Sequence, residues 1–235
     1  MENGALISIQ HLVKEFPVGG GKFTALNDIN LTFNTSEFSG LVGPSGSGKT
    51  TLLNIIGALD NPTGGSAFVM GKDTGKLSHR QSARLRNEYL GFIFQTYNLL
   101  PVYNVYENVE FPLLLQEMGA SDRRNAVMQS LEWVGLTDKA KSRPAQLSGG
   151  ESQRVAVARA MVKKPKIVLA DEPTANLDAA NSHNILEMMF KLNEELKTTF
   201  LFATHDEKVI RYIRRKVTLT DGKVVDDIEK TPQPG

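Results

Sequence analysis

Three features of the sequence predict a mixed α/β fold with a parallel-sheet core, an N-terminal antiparallel β subdomain and an inserted α-helical subdomain. Short apolar runs such as Ile167–Ala170 and Thr199–Ala203 have the character of strands buried on both faces, as in parallel sheets. Leu6–Val13 and Phe23–Phe33 instead alternate apolar and polar residues around the turn-forming run Pro17, Gly19, Gly20 and Gly21. Between Phe94 and Lys166 no strand pattern occurs, only helical spacing.

In chain order, the first two runs predict an antiparallel N-terminal sheet. Phe38–Val42 is an apolar strand entering a Gly-rich loop, followed by a helix over Lys49–Leu59 that breaks at Asp60-Asn61-Pro62. Further strands are expected at Ala67–Met70, Leu90–Phe94, Lys166–Ala170, Thr199–Ala203 and Lys216–Leu219. Helices are expected at Tyr103–Met118, Ser121–Val134, Gly150–Lys163 and Ala179–Leu196. The expected division is a single domain over 1–235: a core with its β subdomain from 1–95 and 164–229, a helical subdomain from 96–163, and a frayed tail at 230–235.

The composition bounds the function. The chain of 235 residues is 40% hydrophobic and 23% charged with a net charge of +1, an ordinary globular balance without the bulk positive charge of a nucleic-acid binder. It contains no cysteine, which excludes disulfides, thiolate metal sites and a cysteine nucleophile. Met1–Gly4 lacks a signal-peptide pattern, and no segment approaches the roughly 20 apolar residues that span a bilayer, so membrane contact is expected through a partner.

Gly43-Pro44-Ser45-Gly46-Ser47-Gly48-Lys49-Thr50 fits the phosphate-loop pattern G-x-x-x-x-G-K-[ST], between an expected strand and an expected helix. The glycines let backbone N–H groups curl around an anion, the helix N-terminus adds its dipole, and Lys49 supplies a charge for the β and γ phosphates. Thr50 is placed to ligate Mg²⁺, and Thr51 completes the nucleotide-binding set. A Gly/Ser turn alone does not need lysine and threonine at those offsets. At this point GTPase and kinase functions stay open.

Ile167–Ala170 ends in Asp171-Glu172, and successive residues on a strand point in different directions, so the two carboxylates can take different roles. Asp171 is expected in the Mg²⁺ shell and Glu172 as the group that polarises the attacking water. The Asn-Lys-x-Asp motif that reads guanine is missing from the chain, which removes the main support for GTP specificity.

Leu147-Ser148-Gly149-Gly150-Glu151, with Gln153 and Arg154 following, resembles the LSGGQ signature of ABC ATPases. Physically, Ser148 and Glu151 form an S-x-x-E capping box, and Gly149 and Gly150 leave bare amides at a helix N-terminus that can grip a phosphate. The resemblance implies a P-loop NTPase with a RecA-like core, ATP and Mg²⁺ as ligands, and a head-to-tail homodimer. In it each ATP lies between one copy's phosphate loop and the other's Ser148, Gly149, Gly150 and Glu151. It further implies that Gln95 reaches Mg²⁺ and the attacking water, that Asp178 lies in the loop contacting the opposite subunit, and that His205 holds the γ phosphate. Asp178 is equally placed to cap the helix that follows. Phe16 falls where the family carries an aromatic that stacks on adenine, although a core phenylalanine would look the same. Glu151 departs from the usual glutamine and Thr50 from the commoner serine, each preserving the needed chemistry. His11, His79 and His183 match no motif.

Leu53-Asn54-Ile55-Ile56-Gly57, Asn98-Leu99-Leu100-Pro101 and Glu107-Asn108-Val109-Glu110 resemble the lipoprotein-release and macrolide-export group (LolD/MacB-like), with FtsE-type division ATPases as near relatives. The resemblance implies a peripheral cytoplasmic subunit on the inner face of the membrane. It would drive an integral permease with a large extracytoplasmic domain in export, lipoprotein release or force transmission; the alternative is a regulatory ATPase that moves no cargo. Tyr89–Tyr106 contains no charged residue, is rich in aromatics, and offers Tyr97–Tyr106 as a docking loop for a permease helix.

Overall fold

The structure, a computed structural model, describes residues 5–231. The antiparallel hairpin of β1 (Ala5–Val18) and β2 (Gly21–Asn34) comes first, then β3 (Phe38–Val42), the phosphate loop and α1 (Lys49–Ile56). β4 (Gly64–Val69), the short β5 (Lys72–Asp73), α2 (His79–Tyr89) and β6 (Leu90–Ile93) follow. The helical stretch holds α3 (Val105–Glu110), α4 (Ala120–Trp133) and α5 (Gly149–Met161). The chain closes with β7 (Ile167–Asp171), α6 (Ala179–Leu196), β8 (Thr199–Thr204), α7 (Glu207–Tyr212), β9 (Arg215–Thr220) and β10 (Lys223–Glu229).

Two sheets organise these elements: an antiparallel one in the order β2-β1-β4-β5 and a mixed one in the order β10-β9-β3-β8-β7-β6. In the second, β6, β7, β8, β3 and β9 run parallel, and only β10 is antiparallel. Alternation along each central strand divides the core in two. Phe200 and Phe202 of β8, with Val168 and Ala170 of β7, pack on the face covered by α3, α4, α5 and α6. Leu201, Ala203, Ile167 and Leu169 pack on the other face, against α1 and the antiparallel sheet. Both faces are buried, as the continuous apolar runs predict. Because the strands are parallel, the loops after β3, β6, β7 and β8 all emerge at one edge, where ligands of open α/β sheets bind.

The α/β fold class is as the sequence predicts, with differences in detail. The strand expected at Ala67–Met70 is β4, and it pairs antiparallel with β1. The helix expected to Leu59 stops at Ile56, because Ala58 adopts a left-handed backbone and the Leu59 amide donates back to the Asn54 carbonyl at 2.9 Å. Tyr103–Met118 is not one helix: α3 ends at Glu110, and Pro112 turns Phe111–Leu115 into a 3-10 segment. β5, β10, α2 and α7 were not anticipated, although signals for β10 and α2 are present. Asp221 and Gly222, both with positive φ, form the hairpin turn, and Ser78 with Gln81 makes a capping box for α2. Of the expected tail, Lys230 is held by its amide to the Arg214 carbonyl at 2.6 Å, whereas 232–235, like 1–4, lie outside the described residues.

Candidate nucleotide site

The phosphate loop joins β3 to α1 at the edge where the parallel strands end. Its glycines are required sterically. Gly48 has φ +101°, and a Cβ there would lie 2.6 Å from the Ala25 carbonyl oxygen; one on Gly43 would lie 2.1 Å from that of Leu219. The β9–β10 turn closes against the loop, with the Gly222 amide donating to the Ser47 carbonyl at 3.2 Å. Lys49 is 6% exposed, and its Nζ donates to the Gly43 and Pro44 carbonyls at 2.7 and 2.8 Å. Burial holds its ammonium below the usual lysine range, with Asp171 and Glu172 pulling the other way.

The carboxylates arrive from β7. Thr50 Oγ1 donates to Asp171 Oδ1 at 3.1 Å across the loop. Burial raises the Asp171 carboxyl above the ordinary range, partly offset by that hydroxyl. Glu172 leaves the strand in a left-handed backbone conformation, φ +45°, so its side chain departs from the strand alternation. Its Oε1 lies 2.6 Å from His205 Nδ1, and its Oε2 accepts from Thr204 Oγ1 at 3.0 Å. The ends of β7 and β8 are tied again by Thr174 Oγ1 donating to Asp206 Oδ2 at 2.8 Å. Glu172 is thus held at both oxygens, facing the loop that carries Lys49.

A cavity of about 400 Å³ collects these groups, within the size range of ligand pockets. Ser45, Gly46, Gly48, Lys49, Thr50, Thr51, Asp171, Glu172, Gln95 and His205 line it together with Phe16. Gly43, Pro44 and Ser47 shape the loop without lining the cavity. Phe23 and Ala25 also line it and were missed from the sequence. Phe23 pairs with Phe16 in the β1–β2 register, which puts two aromatic rings on one face. The two-glycine turn at Gly19-Gly20 sets that register and was the available signal. Thr204 was missed too, since a hydroxyl at a strand end carries no motif. A larger cleft of about 930 Å³ lies at the opposite end of β3, where Arg215 is already paired with Asp227 and Glu37.

The signature residues do not join this cavity within one chain. Ser148 caps α5: its Oγ accepts from the Glu151 amide at 3.2 Å, and Glu151 Oε2 accepts from the Ser148 amide at 2.8 Å. The Ser148 amide holds the Glu151 carboxyl below the usual range. Gly149 and Gly150, in the first turn, have no intrahelical acceptor for their amides. Asp178 likewise stands apart as the cap of α6, accepting from the Asn181 amide at 2.8 Å. Asn176, beside it, donates through Nδ2 to the Gln95 carbonyl at 2.8 Å, tying two of the motif loops together.

The residues fit a nucleoside triphosphate: a backbone cradle that a Cβ would fill, a buried lysine, and two aromatic rings lining the same cavity. Thr50 and Asp171 present the oxygen donors that a small hard divalent cation takes. Among the described residues no group of three or more His, Asp or Glu converges as a separate metal cluster. We expect Phe16→Ala and Phe23→Ala each to raise the KM for ATP about two- to tenfold, the worth of one aromatic contact, with kcat little changed. An unchanged KM in steady-state kinetics would remove the residue concerned from the base site.

A parallel sheet with a phosphate loop after β3 and an acid pair after β7 defines a P-loop nucleoside triphosphatase. The family model described as ABC transporter matches residues 26–175, and the chain belongs to that family. The macrolide export ATP-binding/permease protein MacB of Burkholderia pseudomallei is 41% identical over 95% of this chain and 34% of its own length. The probable syringafactin export ATP-binding/permease protein SyfD of Pseudomonas syringae pv. syringae is 41% identical over 98% of this chain and 35% of its own. The chain thus spans about a third of the length of the curated relatives it matches. Among solved structures, the ATP-binding cassette MJ0796, a dimer in a post-hydrolysis state bound to ADP and Pi, superposes with a TM-score of 0.87. It is 38% identical, with 95% of this chain and 98% of that one covered.

Proposed function

We propose that two copies of this chain close head to tail around two ATP molecules, and that closure drives a membrane-embedded permease in export, lipoprotein release or transmembrane force transmission. The carrying observation is that the capped N-terminus of α5, with the amides of Gly149 and Gly150, stands outside the cavity that holds Lys49 and Glu172. A second phosphate-binding end has a use only if another copy brings it to that cavity. Solved relatives that are dimeric, and relatives named as export ATP-binding/permease proteins, support the same reading.

In this reading Lys49, the loop amides and the partner copy's Ser148 hold the phosphates. Thr50, Asp171 and Gln95 hold Mg²⁺, which supplies charge neutralisation on the phosphate oxygens when bound. Glu172 accepts the proton of the attacking water, while Thr204 and His205 fix the direction of its carboxylate. Asp178 lies beside the facing copy. No described helix is long and apolar enough to cross a membrane. In this reading the cassette works at the inner face of the membrane, and the permease's extracytoplasmic domain carries the work outward.

The link to the permease runs through the loop after β6. Arg159 of α5 donates to the Tyr97 and Asn98 carbonyls at 2.6 and 2.5 Å, and the signature occupies the start of the same helix. Tyr103 packs on Phe111 with ring centroids 6.2 Å apart, at the edge of an apolar hollow that Leu100 also lines. Leu100→Asp and Tyr103→Asp should lose permease recovery in affinity purification from membranes while ATP binding survives. Unchanged recovery with a folded variant would sink this docking site. Permease recovery by the Glu172→Gln variant with ATP tests the whole reading; recovery of only soluble partners would overturn the transport role.

A further inference from the structure

The loop that carries Glu172 is pinned in part from the signature helix. Glu172 has φ +45°, a left-handed conformation that a non-glycine residue keeps only when its surroundings hold it there. Its amide donates to the Ala203 carbonyl at 2.9 Å, which fixes the start of the loop. Pro173 has no N–H of its own, and its carbonyl is taken by a side chain: Gln153 Nε2 of α5 donates to it at 2.7 Å. Turning that amide over would set Gln153 Oε1 against the carbonyl, so the partner decides which atom is the donor.

Gln153 is fully buried, and its Oε1 has no hydrogen-bond partner among the described residues. Packing alone does not call for glutamine here, since a methionine of similar length fills the space without burying an unpaired carbonyl oxygen. What glutamine adds is the donor. The first turn of α5 also lies on the far end of the same loop: a Cβ on Gly150 would be 2.5 Å from Asn181 Oδ1, and Asn181 Nδ2 donates to Asp178 Oδ2 at 2.7 Å. α5 thus meets the segment from Glu172 to Asp178 near both of its ends. Behind these contacts Val155 and Ala158 of α5 share one core with Val168 and Ala170 of β7, which packs helix and strand as one body.

We propose that Gln153 is a positioning residue for ATP hydrolysis: its amide holds the Pro173 carbonyl and thereby keeps the Glu172 carboxylate aimed at the attacking water. This rests on the reading of Glu172 as the base and of the α5 end as the grip on the other copy's ATP. Gln153 lies in the second turn of α5, directly after the Ser148 cap and the free amides of Gly149 and Gly150. The base of one site is therefore tied, through a single hydrogen bond, to the helix end that serves the other.

The test is a double-mutant cycle read by steady-state kinetics and, for the slow variants, by single-turnover release of labelled phosphate. Gln153→Met keeps the length of the side chain and loses the donor; Gln153→Asn keeps an amide that is too short to reach Pro173. Each should lower kcat about ten- to a hundredfold, the cost of misplacing a catalytic group by about an ångström, with the KM for ATP unchanged. In the Glu172→Gln background neither should slow the residual hydrolysis further, because the group being positioned is gone. Thermal melts check that the variants fold, and if the methionine chain does not, the asparagine chain carries the cycle. Wild-type kcat in a folded Gln153 variant overturns the proposal, and so does a raised KM without loss of kcat. An equal fold-loss in the Glu172→Gln background also overturns it, making Gln153 a structural residue that acts apart from the base. Wild-type turnover by Glu172→Gln alone is a separate result, which sinks the base reading and this proposal with it.

Discussion

Glu172→Gln should lower ATP turnover by about two to four orders of magnitude, the range general-base catalysis contributes, while leaving ATP affinity near the wild-type value. Glutamine keeps the size of the side chain and can still meet Thr204 and His205, so the loop after β7 should hold its shape. What it lacks is a basic oxygen to take a proton from water. Lys49 and the loop amides, which carry the binding, are untouched. With hydrolysis arrested, the ATP-bound pair has no route apart, and the variant should elute as a dimer with ATP and Mg²⁺ but as a monomer without. Phosphate-release kinetics and size exclusion read both; turnover at the wild-type rate would remove Glu172 from the base role.

Ser148→Arg should abolish turnover by a comparable factor, on the order of a hundredfold or more, for a different reason. Ser148 lies outside the cavity of its own chain, so one copy should bind ATP normally. Arginine at the α5 N-terminus would place bulk where a second copy's phosphate is to be gripped. The change also removes a helix cap, worth about 1 kcal/mol. Ser148→Ala separates the two effects, since it loses the cap without adding bulk. Turnover should fall less in that variant, and Ser148→Arg combined with Glu172→Gln should not show the ATP-dependent dimer. Loss of ATP binding by the isolated Ser148→Arg chain would argue against a site shared between copies.

Local chemistry in this chain was legible because each motif is contiguous and its physics is short-range. A run of Gly, Lys and Thr after a strand makes a phosphate cradle through backbone amides alone. The S-x-x-E pattern at Ser148 closes a capping box within one turn of α5. Continuous apolar runs at β7 and β8 required burial on both faces, and the alternating residues of those strands do divide between two cores. Hence the α/β class and the identity of the phosphate and acid motifs followed from the order of residues.

Tertiary structure decided what lies far apart in the chain. Parallel pairing of β3, β6, β7 and β8 brings Lys49, Gln95, Glu172 and His205 to one edge, and strand order is not written in any one segment. The same holds for Thr204 on Glu172 and for Phe23 opposite Phe16, each a consequence of register. Sequence fixes interactions whose range is a turn of chain; those between distant segments depend on which surfaces the two cores bury together, and only the folded molecule settles that.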